Sequence, residues 1–349
     1  MRVAVTGATG NVGTSLLQAL GNEPSVDEIV GIARRKPDIA LPKTTWVEAD
    51  VVDADLTSVF RGADCVVHLA WLIQPSRDQQ TLQAVNVEGS SRVFQAVADA
   101  KVPSLVHASS VGAYSPGPKT ETVDESWPTD GVQSSYYSRQ KSTVERILDR
   151  FERESPQTRV VRLRPGLIFK RDAASEIRRY FAGPFLPNPL VRRALIPVVP
   201  RTERLVFQAV HSLDVGEAYR LAIVGAARGP FNIAADPILD AEALGNALGA
   251  RPIPVHAGLL RAAAAASWRM RLQPTAPSWL DMGLGVPLMD TTRARTELGW
   301  TPARRADEAL LDVLHGIRDG ASYDTPPLHR RAGGPMRVRE LMTGVGARP

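Results

Sequence analysis

The chain has 349 residues, 44% of them hydrophobic and 23% charged, which is enough apolar material for a large core and about two domains. Its net charge of +5 comes mostly from dispersed arginines and accompanies no nucleic-acid motif, so the expected partner is a small molecule and not nucleic acid. The most membrane-like stretch, "GLLRAAAAASW" (258–268), is broken by Arg261 and falls short of the roughly 20 apolar residues of a span, so no membrane association is expected.

"RVAVTG" (2–7) reads as a strand that follows Met1 directly, without the basic and apolar regions of a signal peptide. A helix is predicted over 12–21, then strands at "EIVGIA" (28–33), "TWVEAD" (45–50) and "CVVHLA" (65–70). Cys65 is the only cysteine and sits in that last apolar run. A buried structural thiol and a reducing, cytoplasmic location are expected. A helix over 79–100 leads to the strand "SLVHASS" (104–110), and a helix over 134–154 leads to "RVVRLRP" (159–165). Near-continuous Val/Ile/Leu strands alternating with helices predict an α/β fold, a doubly wound parallel sheet of the Rossmann type.

After residue 170 the pattern changes. "FAGPFLPNPLVRRALIPVVP" (181–200) holds five prolines and predicts irregular structure over a ligand cleft. Strand and helix resume from 205, "PFNIAA" offers another strand, and 238–318 is mainly helical. The expected organisation is a dinucleotide-binding domain over 1–170, joined again by 205–235, and a smaller substrate domain from 171–204 and 236–318. Residues 319–349 read as a loosely ordered tail. The six histidines show no metal-site spacing, and no metal is expected.

The turn after the first strand carries Gly7, Gly10 and Gly13 and opens a helix. Glycines there permit a tight turn and let backbone approach a pyrophosphate at a helix N-terminus. The spacing is G-x-x-G-x-x-G, one residue longer in the first gap than the G-x-G-x-x-G fingerprint. Where a carboxylate would hold an NAD ribose, at the end of the second strand, stands Ala33, followed by Arg34 and Arg35. Two guanidinium groups favour a 2′-phosphate, hence NADP(H) over NAD(H), unless both simply face solvent.

In "SSYYSRQK" (134–141) two tyrosines compete for one lysine. Tyr137 and Lys141 are four apart and share a helix face, whereas Tyr136 is five away and diverges. An ammonium beside a phenol favours the phenolate and is expected to lower a pKa that starts near ~10. Tyr137 is the expected general acid or base, and Tyr136 a packing residue.

These segments resemble the extended short-chain dehydrogenases/reductases, the NAD-dependent epimerase/dehydratase superfamily. The resemblance covers about 1–318 and rests on "TGATGNVG" (6–13), "EADVVD" (48–53), "HLA" (68–70), "NVEGS" (86–90), "ASSVGAY" (108–114), "YSRQK" (137–141), "RPGLIF" (164–169), "VHSLDV" (210–215) and "FNIAA" (231–235), in that order. It implies a catalytic triad of Ser110, Tyr137 and Lys141, with Lys141 also holding the nicotinamide ribose. The phosphate turn would use Gly7, Thr9, Gly10, Asn11, Val12 and Gly13. Asp50 and Val51 would meet adenine, and Leu69 and Ala70 would line the cofactor, with Asn86 ordering that wall. Ser109 would support the cofactor, and Pro165 and Leu167 would flank nicotinamide. Trp71, Ser110 and Tyr114 fall on the substrate side. His68 reads as a structural strand residue. The resemblance also implies a homodimer through the Tyr137 helix and 79–100.

Three functions remain open on these residues. The first is an NAD(P)-dependent reductase or dehydrogenase acting on a carbonyl or secondary alcohol, to which the apolar "AWLIQPS" (70–76) is suited. The second is a nucleotide-sugar epimerase or dehydratase that retains NAD, with Arg178, Arg179, Arg192, Arg193 and Arg204 available to grip a sugar diphosphate. The third is a dinucleotide-sensing protein without turnover, whose relatives usually lack a Tyr-x-x-x-Lys pair.

Overall fold

A computed structural model describes residues 1–73, 76–182 and 196–330. Seven parallel strands form the central sheet, in the order Gly229–Ile233, Arg159–Pro165, Ser104–Ala108, Cys65–His68, Arg2–Thr6, Glu28–Ala33 and Thr44–Glu48. The first strand in sequence lies inside the sheet, and the chain winds outward from it first one way and then the other. The crevice at the carboxyl ends of Arg2–Thr6 and Cys65–His68 is therefore the topological switch point, where ligands of such sheets bind.

Side-chain alternation explains how one strand serves two cores. Val3 and Val5 face a layer with Leu16, Leu17 and Leu20 of the helix Asn11–Gly21 and Val215, Ala218 and Ala222 of the helix Ser212–Val224. Ala4 between them faces Phe94 and Val97 of Gly89–Asp99 and Val144 and Leu148 of Tyr136–Glu154. The helix expected as one piece over 79–100 is interrupted by a π-helical turn at Ala84–Glu88, the kind of irregularity that often marks a functional position. That turn holds Asn86.

The smaller part is built from short sheets, one joining Leu167–Phe169, Phe207–His211 and Ala235–Leu239, and from helices including Ala257–Arg269, Pro277–Gly285 and Ala306–Asp319. The expected loose tail is packed over its first stretch: Thr325 and Leu328 are fully buried. Most of the proline-rich 181–200 segment and the tail beyond 330 lie outside the described residues. Among those described, no helix is long and apolar enough to cross a membrane, and no three His, Cys, Asp or Glu side chains gather as a metal site.

Candidate active site

The phosphate turn begins where the first strand ends. Gly7 has φ +71°, and a Cβ there would stand 2.6 Å from the Ala70 nitrogen, so both the turn and the neighbouring backbone exclude a side chain. The following helix starts at Gly10 with no side-chain cap and no acidic residue in its first turn. Its leading N–H groups and positive dipole end are thus left to an anion. The Asn11 Oδ1 is buried without a hydrogen-bond partner. An uncapped helix end, a glycine cradle and an orphaned acceptor fit the pyrophosphate and amide groups of a dinucleotide.

Two supports of this turn were not read from the sequence. The Lys170 ammonium donates to the Asn11 carbonyl at 2.9 Å, the Thr14 hydroxyl at 2.6 Å and the Ser15 hydroxyl at 3.1 Å, and burial lowers its pKa to about 8. From the tail, the Thr325 hydroxyl donates to the carbonyl of Thr9 at 2.8 Å.

The helix Tyr136–Glu154 is capped by Ser135 and presents Tyr137, Lys141 and Glu145 on one face. The Ser110 hydroxyl stands in hydrogen-bonding reach of the Tyr137 hydroxyl and accepts the Gly112 N–H at 3.0 Å. Lys141 Nζ donates to the Ala108 carbonyl at 2.7 Å and lies 3.4 Å from the centroid of a Trp71 ring. Tyr136 is also buried, but its ring meets Trp279 edge-on at 6.4 Å. The segment Leu69–Trp71 therefore touches the phosphate turn through Ala70 and the tyrosine-lysine pair through Trp71. Asn86 holds that segment, donating to the Leu72 carbonyl at 3.1 Å and to Gln140 at 2.9 Å and accepting the Leu72 N–H at 2.7 Å.

Beneath the pair, the buried Glu145 carboxylate accepts from Ser109 at 2.5 Å, Arg162 at 2.8 Å and Arg164 at 2.9 Å. Burial pushes its pKa up, but the two guanidinium groups outweigh this and hold it down at about 2. Nothing in the local pattern announced this cluster except the position of Glu145 four residues after Lys141.

Residues 3–181 match the NAD dependent epimerase/dehydratase family. The chain belongs to that family. An uncharacterized protein of Mycobacterium tuberculosis is 29% identical over 321 residues, covering 91% of this chain but only 30% of the relative. The chain thus spans under a third of that relative's length. An L-arabinose 1-dehydrogenase (NAD(P)(+)) of Haloferax volcanii is 38% identical over 109 residues, 31% of this chain and 40% of the relative. Among solved structures, UDP-glucose 4-epimerase of Thermus thermophilus in complex with NAD superposes with a TM-score of 0.68 at 22% identity, covering 91% of this chain and 99% of the other.

For this family member several expectations need correction. Tyr114, placed on the substrate side, is fully buried. Its hydroxyl donates to Asn232 at 2.6 Å and accepts from Arg164 at 3.1 Å, so it belongs to the core. The Ser109 hydroxyl donates to Glu145 at 2.5 Å. Lys141 does not lower the Tyr137 pKa here. Burial raises Tyr137 to about 12, and the ammonium stands 6.0 Å from its ring while covering Trp71. Burial likewise lowers Lys141 to about 7, with Glu145 opposing. Of the arginines named for a sugar diphosphate, Arg204 donates to the carbonyls of Leu284 and Gly117, and Arg179 to that of Pro327. Arg192 and Arg193 lie outside the described residues.

The remaining positions are plainly placed. Arg34 and Arg35 are exposed directly after the strand that ends in Ala33. Asp50 accepts the Val52 N–H at 3.1 Å, and Val51 is buried in the core. Pro165 is buried and Leu167 is 41% exposed, an apolar side chain open at the cleft strand. Both ring nitrogens of His68 are paired, with Thr6 at 2.8 Å and Ser90 at 2.9 Å, and Cys65 is fully buried, its pKa raised by burial to about 11.

Gly112 offers a direct check of this geometry. A Cβ there would lie 2.7 Å from Cε1 of Tyr137 and 3.1 Å from Sδ of Met282. Gly112→Ala is expected to push the phenol ring aside and to lower turnover by up to ~10²-fold, the scale of a misplacement near 1 Å. Turnover and circular dichroism of the variant check it; a fully active, folded variant contradicts the placement of Tyr137.

Proposed function

We propose that this protein is an NAD(P)-dependent oxidoreductase that interconverts a carbonyl compound and a secondary alcohol, with Ser110, Tyr137 and Lys141 as its catalytic residues. The observation that carries the reading is the continuity of Gly7, Ala70, Trp71, Lys141, Tyr137 and Ser110, which joins a dinucleotide-shaped turn to a proton donor. The Haloferax relative, a dehydrogenase by name, supports the same class.

A dinucleotide, if bound along this crevice, would supply or accept the hydride. Tyr137, a phenol that is protonated at neutral pH and whose burial raises its pKa further, delivers its proton to the carbonyl oxygen. Ser110 donates a hydrogen bond to the same oxygen as negative charge develops. Lys141 would hold the ribose hydroxyls when a dinucleotide is bound. Gly10, Asn11, Val12 and Gly13 would cradle the pyrophosphate, and Asp50 with the Val51 backbone would border adenine. A homodimer and a cytoplasmic location belong to the same reading. The competing reading, an NAD-retaining nucleotide-sugar epimerase, draws on fold likeness to enzymes such as the Thermus thermophilus epimerase.

NADP(H) is the proposed cofactor, because Arg34 and Arg35 stand exposed where no carboxylate is available at Ala33. A charge-assisted hydrogen bond to a 2′-phosphate contributes roughly 1.5–3 kcal/mol, or about ten- to a hundred-fold in affinity. Exposure and added salt pull the preference toward the lower end. Calorimetric titration should show NADPH bound more tightly than NADH, and Arg34→Ala/Arg35→Ala should remove the difference while barely changing NADH. Equal affinities in the unaltered protein would overturn the NADP(H) assignment.

A further inference from the structure

We infer that the substrate carbonyl is carried on a flat aromatic body, which Trp279 and Trp71 receive beside Tyr137, and that Trp279 sets this specificity. The inference rests on the oxidoreductase reading above and names its substrate class.

The rings are already arranged around the proton donor. Trp279 lies 5.0 Å from Tyr137 with the planes tilted 35°, and Trp71 meets Tyr137 edge-on at 6.0 Å. Both indoles are half-buried and sit against a cluster containing Val132, Tyr136, Met282 and Val286. Offset and edge-to-face contacts at such spacings are the ones aromatic partners prefer, and they add to simple burial. The Trp71 indole N–H is buried and unpartnered, a donor in this wall that a ligand oxygen would satisfy.

Among the described residues, three cations near Trp279 hold protein. Lys119 donates to the Gly283 carbonyl at 2.9 Å, Arg204 to the Leu284 carbonyl at 2.9 Å, and Arg261 grips Asp281 through two contacts at 2.7 and 3.0 Å. All three acceptors lie on the helix Pro277–Gly285 that carries Trp279. Three cations, Arg204 among them, are therefore used to fix the helix that carries Trp279. An apolar aromatic ketone needs no cation, and a preformed wall spares it the ordering cost of binding. In the reaction the carbonyl carbon gains hydride from the reduced dinucleotide, which leaves oxidised. The carbonyl oxygen gains the Tyr137 proton, and a secondary alcohol results.

The test uses 2-acetylnaphthalene and butanone as paired ketones, with binding of 2-acetylnaphthalene also followed by quenching of tryptophan fluorescence in the cofactor-free protein. The aromatic ketone should have the lower KM. Trp279→Ala should raise its KM about tenfold, the scale of a lost aromatic contact with its burial, with a much smaller change in kcat. Trp279→Phe should recover most of the loss and covers the case in which the alanine variant misfolds. Equal KM values for the two ketones, or kcat and KM for both ketones changing alike in Trp279→Ala, overturn the inference. Turnover of butanone without 2-acetylnaphthalene binding removes the aromatic specificity and leaves the oxidoreductase standing. Binding that depends on Trp279 without cofactor oxidation by either ketone supports the aromatic site and removes the oxidoreductase.

Discussion

Tyr137→Phe is expected to lower turnover by at least ~10²-fold, the low end for loss of a general acid. Dinucleotide affinity should stay close to that of the unaltered protein, because the turn at Gly7 and the uncapped helix end do not involve the phenol hydroxyl. Tyr136→Phe is the control. The Tyr136 ring is also buried, but it is Tyr137 that the Ser110 hydroxyl reaches. Steady-state kinetics with cofactor titration on both variants distinguishes them, and a dead Tyr136 variant beside an active Tyr137 variant would show that the reacting face of this helix has been misassigned.

The second large effect is on stability. Glu145→Ala should destabilise the fold by about 3–5 kcal/mol, the cost of removing one partner from a buried ion pair. It takes a carboxylate partner from Arg162 and Arg164, whose side chains are only 5% exposed, and leaves the Ser109 hydroxyl without its acceptor. Arg162 keeps Asp149 and Glu152, so Arg164 bears most of the loss. The sign with pH follows from the depressed carboxyl, at about 2 in the fold against a usual value near ~4.3. The stabilisation is complete above the unfolded value and disappears as pH falls toward about 2. Urea midpoints should therefore drop in acid for the unaltered chain and change less for Glu145→Gln. Midpoints that coincide for the two proteins at neutral pH would contradict the pairing.

The features legible in the sequence share a short range. All six strands read from apolar runs in the first 170 residues are present, and the run itself is the signal where a strand such as Cys65–His68 is buried on both faces. The glycine turn is local as well, and so is the four-residue step from Tyr137 to Lys141. What escaped reading depends on distant chain segments. Tyr114 looks like a site residue until Asn232 and Arg164, far along the chain, are seen to take up its hydroxyl. Trp279 reaches Tyr137 across 277–285, a segment with no motif, and Lys170 reaches the phosphate helix from beyond the strand Leu167–Phe169. The Tyr137 pKa failed for a different reason. Spacing fixes which groups are neighbours, but burial, which acts against charge, decided the direction.

Net cofactor oxidation tests the oxidoreductase assignment most directly. Purified protein would be mixed with NADPH and a panel of aromatic and aliphatic ketones, with UDP-glucose in parallel, while the near-ultraviolet absorbance of reduced nicotinamide is followed. Loss of that absorbance, matched by an equal amount of secondary alcohol and abolished in Tyr137→Phe, is the predicted result. Constant absorbance with every ketone, together with NAD that stays on the purified protein and epimerisation of the sugar nucleotide, would contradict it.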